Sequence, residues 1–157
     1  MKIRFAQDHD YAAIARLHRQ TIRNVNSLDY TPEQIKVWAH RTNAQRFRNS
    51  ASKCHRWVAT INEKIAGFCD ISLNNEFWGL YVHKDFIGQG VGTKLIKIAE
   101  QKLQEQGCKK VTLQATITAK EFYKKQGYKI VKKSFHNIDN HHLPIFIMSK
   151  ILPQKIT

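Results

Sequence analysis

Along this chain the spacing of apolar residues changes more than once. Near the N-terminus "KIRFA" (residues 2–6) reads as a strand. Tyr11, Ile14, Ala15, Leu17 and His18 then fall on one side of a helix that Asp8 or Asp10 can N-cap. A second helix opens at "TPEQ", where Thr31 as N-cap, Pro32 at the first helical position and Gln34 complete a capping box, with Ile35 and Trp38 inward. Residues 43–50 predict a further helical turn or two.

From His55 the period shortens. "HRWVATI", "KIAGFCDIS" and "EFWGLYVH" are apolar-rich runs with Asn62 and Glu63 as the turn between the first pair, a pattern that predicts an antiparallel meander. Helical spacing returns to about Gln106, with Val91, Leu95, Ile96, Ile98, Ala99 and Leu103 inward, and Gly107 stands where a C-cap is expected. "KKVTLQAT" is a strand, "TAKEFYKKQG" a short helix closed by Gly127, and "YKIVKKSF" with "LPIFIMSKI" a final strand pair. The order is β-α-α-β-β-β-α-β-α-β-β. It predicts a mixed α/β fold in which helices flank one mostly antiparallel central sheet.

Length and charge add limits. The 157 residues suit a single domain spanning 1–157, large enough for a continuous core without staples. No stretch is long and apolar enough for a membrane span, and "MKIRFAQDHDY" lacks the apolar region of a secretory signal. Cys54, Cys69 and Cys108 have neither metal-ligand spacing nor even number, so reduced thiols in a cytoplasmic protein are expected. The formal charge of +14 is spread along the chain rather than gathered in a tail. It points to polyanionic partners: nucleic acid, an acidic protein or a phosphorylated cofactor.

The densest chemistry lies in "YVHKDFIGQGVGTKLIKIAEQ", which places Gly88, Gly90 and Gly92 just ahead of a helix. A P-loop and a dinucleotide fingerprint both require a glycine where this chain has Thr93, and the fingerprint's distal acid is replaced by Lys109 and Lys110. A plain turn needs only one glycine. What remains is a bare backbone followed by the positive end of a helix, an arrangement suited to an anion, with Lys94 and Lys97 adding charge.

"LYVHKDFIGQGVGTKLI" resembles the acetyl-coenzyme A signature of the GCN5-related N-acetyltransferases, and "ITAKEFYKKQGYKI" resembles that family's AxxFYxxxGF stretch. The element order over residues 3–151 is similar too. Ile87 stands where the signature has Gln or Arg, and Thr116 where the second motif often begins with Asn. The resemblance implies an N-acetyltransferase that moves the acetyl group of acetyl-CoA to a primary amine, without a metal. It implies that backbone N–H groups from Gly88 through Gln89, Gly90, Val91 and Gly92 to Thr93 hold the pyrophosphate. Leu80, Tyr81 and Val82 would lie along the pantetheine arm, with an N–H at Leu80 or Tyr81 on the thioester carbonyl. Thr116, Lys120 and Phe122 complete the cofactor site, and the strand of Val111–Ala115 splays from that of Leu80 to admit it.

By the same resemblance Tyr123 is the general acid, neutral near pH 7 and able to protonate the departing thiolate. The family's usual acid before "LYV" is Trp78 here, so the base is expected at Glu76 through a water, with Asp70 and His83 as alternatives. "HNIDNHH" gathers His136, Asp139, His141 and His142 in a turn that reads as a border of the acceptor site before it reads as a metal site. Trp57 reads as core. Tyr30 and Trp38 read equally as core or acceptor wall. The acceptor is a small amine or amino acid, a peptide or protein amine, or, given the basic surface, an aminoacyl-tRNA as in toxin-type acetyltransferases. A non-catalytic coenzyme A sensor or nucleic-acid-binding module is the competing class. Homodimers are frequent among proteins of this resemblance.

Overall fold

The computed structural model describes residues 1–154. The chain runs β1 (Lys2–Phe5), α1 (Tyr11–Asn24), α2 (Pro32–His40), α3 (Ala44–Ser50), β2 (Cys54–Ile61), β3 (Lys64–Ser72) and β4 (Phe77–Val82). It continues through α4 (Val91–Glu105), β5 (Lys110–Thr116), α5 (Lys120–Lys125), β6 (Lys129–Ile138) and β7 (His141–Ile151). Strand pairing is antiparallel throughout, in the orders β1-β2-β3-β4 and β5-β7-β6. The expected single sheet is therefore divided. Hydrogen bonding stops between β4 and β5, and the backbone groups left facing that gap are the ones a ligand can satisfy.

Local chemistry explains most element ends. Thr31 Oγ1 accepts from the Gln34 N–H at 3.2 Å while Gln34 Oε1 accepts from the Thr31 N–H at 2.9 Å, the reciprocal cap read from "TPEQ". Asn62 and Glu63 turn β2 into β3 with φ of 50° and 65°. Gly107 and Gly127 close α4 and α5 at φ of 84° and 94°, which a β-carbon would disfavour. Asp10 does not cap α1 with its side chain. Its carboxylate is taken by both Arg4 guanidinium nitrogens at 2.7 and 2.9 Å and by the Gln7 N–H at 2.8 Å, which pins β1 to the helix start.

The inward face of α4 holds Val91, Leu95, Ile96, Ala99 and Leu103, all buried in one cluster with residues of β2, β3, β5 and β7. Truncating one such leucine to alanine costs about 2–5 kcal/mol. A second cluster places Ile14 and Leu17 of α1 over Phe47, Val58 and Phe68, and a third joins Tyr30, Trp38 and Leu143. Trp57 is core. No helix among the described residues is long and apolar enough to cross a membrane.

Candidate active site

Two cavities meet at β4. The first, about 430 Å³, opens in the gap between β4 and β5 and reaches the start of α4. The second, about 440 Å³, lies under α1, α2 and α3. Both are lined by Trp78, Gly79, Tyr81, Gln114 and Thr116, so these residues form the wall between them.

The first cavity gathers most of the residues named from sequence. Leu80, Tyr81 and Val82 line one side, Gly88, Gly90, Val91, Gly92 and Thr93 the end, and Thr116, Phe122 and Tyr123 the other side. Gly88 and Gly90 adopt φ of 85° and 82°. Gly90 is the N-cap of α4, so the N–H groups of the first helical turn have no intrahelical acceptor and face the loop. Gly92 has a different reason to be glycine: a β-carbon there would stand 2.9 Å from Phe122 Cε1 in a buried contact.

Register determines which backbone groups face the gap. The His83 N–H donates to the Ala66 carbonyl at 2.8 Å, so alternation turns Tyr81 toward β3 and leaves Leu80 and Val82 facing away from it. The Val82 carbonyl accordingly accepts from Thr21 Oγ1 at 3.4 Å. Of the pair Leu80 and Tyr81, only Leu80 presents an N–H to the cavity.

Four expected residues lie elsewhere. Glu76 is exposed in the turn before β4 and lines neither cavity. Asp70 pairs with Gly79 but Ile71 pairs with Phe77, so Trp78 is the extra residue of a bulge that breaks the period linking position 76 to position 80. Gln89 folds back on the Asp85 carbonyl, its amide donating at 3.4 Å. The Lys120 ammonium sits 4.8 Å from the Phe146 ring centroid and 3.9 Å from Glu121, away from the cavity lining. His83 accepts from the Asp85 N–H through Nδ1 at 3.1 Å and also lines neither cavity.

Tyr123 is buried between Phe77, Phe122 and Tyr128, with ring centroids 6.2, 5.2 and 5.7 Å away. Burial first, then Cys69 and Tyr81, raises its phenol well above the ordinary value, so it keeps its proton. Burial likewise raises the Cys69 thiol, making it inert. Asp70 is buried, and Arg56 Nε donates to its Oδ2 at 2.8 Å. Desolvation nevertheless raises its carboxyl above the ordinary range, the Arg56 charge opposing.

Sequence reasoning missed the contribution of α1. Thr21, Val25 and Asn26 line the first cavity, as does Thr118. Asn26 Oδ1 and Thr118 Oγ1 are buried without a hydrogen-bond partner among the described residues, a condition that a ligand bearing amides relieves. The sequence carries no marker for them, since Asn26 follows the last turn of a helix read only for its apolar face. His136, Leu143 and Ile145 of the β6–β7 hairpin line the second cavity, where the hairpin was expected to border the acceptor. The hairpin imidazoles do not converge: His136 meets Arg41, His141 donates to the Asp139 carbonyl, and His142 pairs with Asn137.

A split antiparallel sheet, a glycine-rich turn into a helix within the split and a buried tyrosine opposite define an acyltransferase-type domain. The family model described as the acetyltransferase (GNAT) domain matches residues 26–152, and the chain belongs to that family of N-acetyltransferases. It is similar to the uncharacterized N-acetyltransferase YafP of Escherichia coli K12, 28% identical over 133 residues, covering 85% of this chain and 84% of the relative. Among solved structures, a GCN5-related N-acetyltransferase from Rhodopseudomonas palustris superposes with a TM-score of 0.91 at 28% identity, covering 96% of this chain and 95% of the other. The PaiA N-acetyltransferase of Thermoplasma acidophilum, solved with coenzyme A, shares the fold at a TM-score of 0.77 and 20% identity, covering 97% and 100%.

Proposed function

We propose that the chain transfers the acetyl group of acetyl-CoA directly to a primary amine held in the second cavity. The observation that carries this reading is the shared wall of Trp78, Gly79, Tyr81, Gln114 and Thr116: a thioester lying in the first cavity would present its carbonyl carbon to whatever fills the second. The residues fit acetyl-CoA. The first-turn N–H groups of α4 suit its pyrophosphate, and the unpartnered Asn26 and Thr118 oxygens suit the amides of its pantetheine arm. The coenzyme A held by the Thermoplasma acidophilum protein supports the same choice.

Each side chain then has a task. The Leu80 N–H stabilises charge that develops on the thioester oxygen, and Tyr123 gives its proton to the departing sulfur. Asp70 replaces Glu76 as the base. It lines the second cavity, its raised pKa suits proton acceptance nearer neutrality, and its Oδ1 lies against Gly79, 3.7 Å from where a β-carbon would stand. An alkylammonium has a pKa of about 10, so the acceptor must lose a proton before it attacks. Release of free thiol from acetyl-CoA across an amine panel tests the reading. Turnover with at least one amine is expected, and calorimetry that finds no affinity for acetyl-CoA overturns it.

A further inference from the structure

The second cavity has an unusual charge balance. Among the described residues Asp70 is the one carboxylate that lines it, and it is already engaged by Arg56. Arg41 and Arg46 also line the cavity, and among the described residues neither forms an ion pair. Arg41 is half-buried, and its guanidinium donates to His136 Nε2 at 2.8 Å, a neutral partner. Desolvation and the Arg46 charge both press against Arg41's proton, yet a guanidinium stays charged. Asp139 acts on Arg41 from the β6–β7 turn without pairing to it.

The imidazoles here complete the pattern. His18 lines the same cavity, with Nδ1 3.1 Å from Thr42 Oγ1 and a buried Nε2 that has no partner. Burial and then Arg46, Arg41 and Arg19 push its pKa down to about 3, so it is neutral. His136 is lowered by burial and by the same two arginines. Three guanidiniums and two neutral imidazoles thus face one carboxylate. Such a pocket repels a polyamine or a lysine-rich segment and leaves two fork-shaped donor groups for a planar or tetrahedral anion.

We propose that the acceptor is a small amine that also carries an acid group, carboxylate or phosphate, which seats on Arg41 and Arg46 while its amine turns toward Gly79 and Asp70. This rests on the acetyl-transfer reading and narrows its substrate class. The volume of about 440 Å³ suits a small molecule rather than a folded macromolecule. The Phe47, Trp38 and Tyr81 rings in the same lining give an apolar body a place to rest. Asp70 is then the countercharge for the incoming ammonium before it loses its proton. In the transfer, the amine nitrogen bonds to the acetyl carbon as the carbon–sulfur bond breaks. The ammonium's first proton has by then gone to solvent. The sulfur leaves with the electron pair and takes the Tyr123 proton, and the nitrogen's surplus proton passes to Asp70. Asp70 then gives it up through solvent as Tyr123 regains one, so one proton is released per transfer.

Matched amines that differ only in the acid group test this. Phenylalanine against phenethylamine forms the carboxylate arm, and phosphoethanolamine against ethanolamine forms the phosphate arm, with kcat/KM read from thiol release. The acid-bearing member of at least one pair is expected to be favoured about tenfold or more, the scale of a charge-assisted contact. The arm with the larger ratio identifies the acid. Arg46→Gln, at an exposed position that leaves the core intact, narrows that ratio through KM, and Arg46→Lys restores part of it. Arg41→Gln should narrow it further. Preference for the amine without the acid group in both pairs, or for spermidine over every acid-bearing amine, overturns the proposal, as does a ratio unmoved in Arg46→Gln. Acetylation confined to an aminoacylated tRNA, with binding lost steeply as salt rises, also overturns it. If acetyl-CoA itself fails to bind in calorimetry, the acetyl-transfer reading has failed first, which separates the two failures.

Discussion

Arg56 Nε donates to Asp70 Oδ2 at 2.8 Å, with both side chains buried, where β3 faces Gly79 of β4. Arg56 is itself held by the Phe47 carbonyl and by Ser50 Oγ, each at 3.0 Å. The pair therefore ties α3 to the sheet, and both residues line the second cavity. Removing one partner of such a pair strands a buried charge, at a cost of about 3–5 kcal/mol.

The base assignment separates two carboxylates by their pH profiles. With Asp70 as base, kcat/KM rises with pH along a limb whose apparent pKa lies above the ordinary carboxylate range, because desolvation holds the proton on. Asp70→Asn should abolish that limb and slow turnover on the order of 100-fold. Glu76→Gln, in the exposed turn, should leave the profile as it was. Circular dichroism on Asp70→Asn separates lost chemistry from lost fold. A limb that disappears in Glu76→Gln instead returns the role to Glu76.

Tyr123 gives a cleaner case, because only its hydroxyl is in question. Tyr123→Phe keeps the ring contacts with Phe77, Phe122 and Tyr128 and so keeps the fold. Turnover is expected to drop on the order of 100-fold, with acetyl-CoA affinity by calorimetry nearly unchanged. Normal turnover in this variant removes Tyr123 from the mechanism.

These variants rest on positions that the sequence reveals unequally. The period of apolar residues locates α1, α2, α4 and the meander, because each buries one face against a neighbour and the pattern records that burial. The glycine loop and "EFYKKQG" are legible because their backbone demands are local. The bulge at Trp78 breaks the period that links Glu76 to Leu80, a register shift that leaves no trace in a list of residues. The Arg41, Arg46 and His136 cluster comes from segments far apart in the chain, and as isolated basic residues each reads as solvated surface. Asp10 had two roles open to it, and its ion pair with Arg4 displaced the cap.

Gly92 and Gly88 both belong to the glycine-rich turn into α4, yet their substitution should fail differently. At Gly92 the backbone is helical, where alanine is intrinsically preferred by about 1 kcal/mol. The new β-carbon would lie 2.9 and 3.1 Å from the Phe122 ring, which lines the cavity. Gly92→Ala is expected to lose about 1–3 kcal/mol by overpacking and to weaken acetyl-CoA binding as Phe122 is displaced. Adding Phe122→Leu should recover part of the stability. Gly88→Ala meets nothing within 4 Å but must hold φ of 85°, so its cost of about 1 kcal/mol is conformational and Phe122→Leu does not relieve it. Denaturant midpoints for the four variants decide between the two mechanisms.

His18 links the second cavity to acid stability. Its folded pKa is depressed to about 3 from 6.5. Between those values the unfolded chain binds the proton and the folded one does not, so stability is full above pH 6.5 and falls as the solution is acidified. The slope approaches one proton, at most about 1.4 kcal/mol per pH unit. His18→Gln keeps a polar group near Thr42 and cannot titrate, so its unfolding free energy should be flatter than the parent's between pH 6.5 and 5, above the range where most carboxylates protonate. Equal slopes over that interval would mean that the ring is protonated in the folded protein. In that case three guanidiniums and a cationic imidazole share the pocket, and its demand for an anionic acceptor grows with acidity. The preference for the acid-bearing amine would then rise as pH falls through the His18 titration.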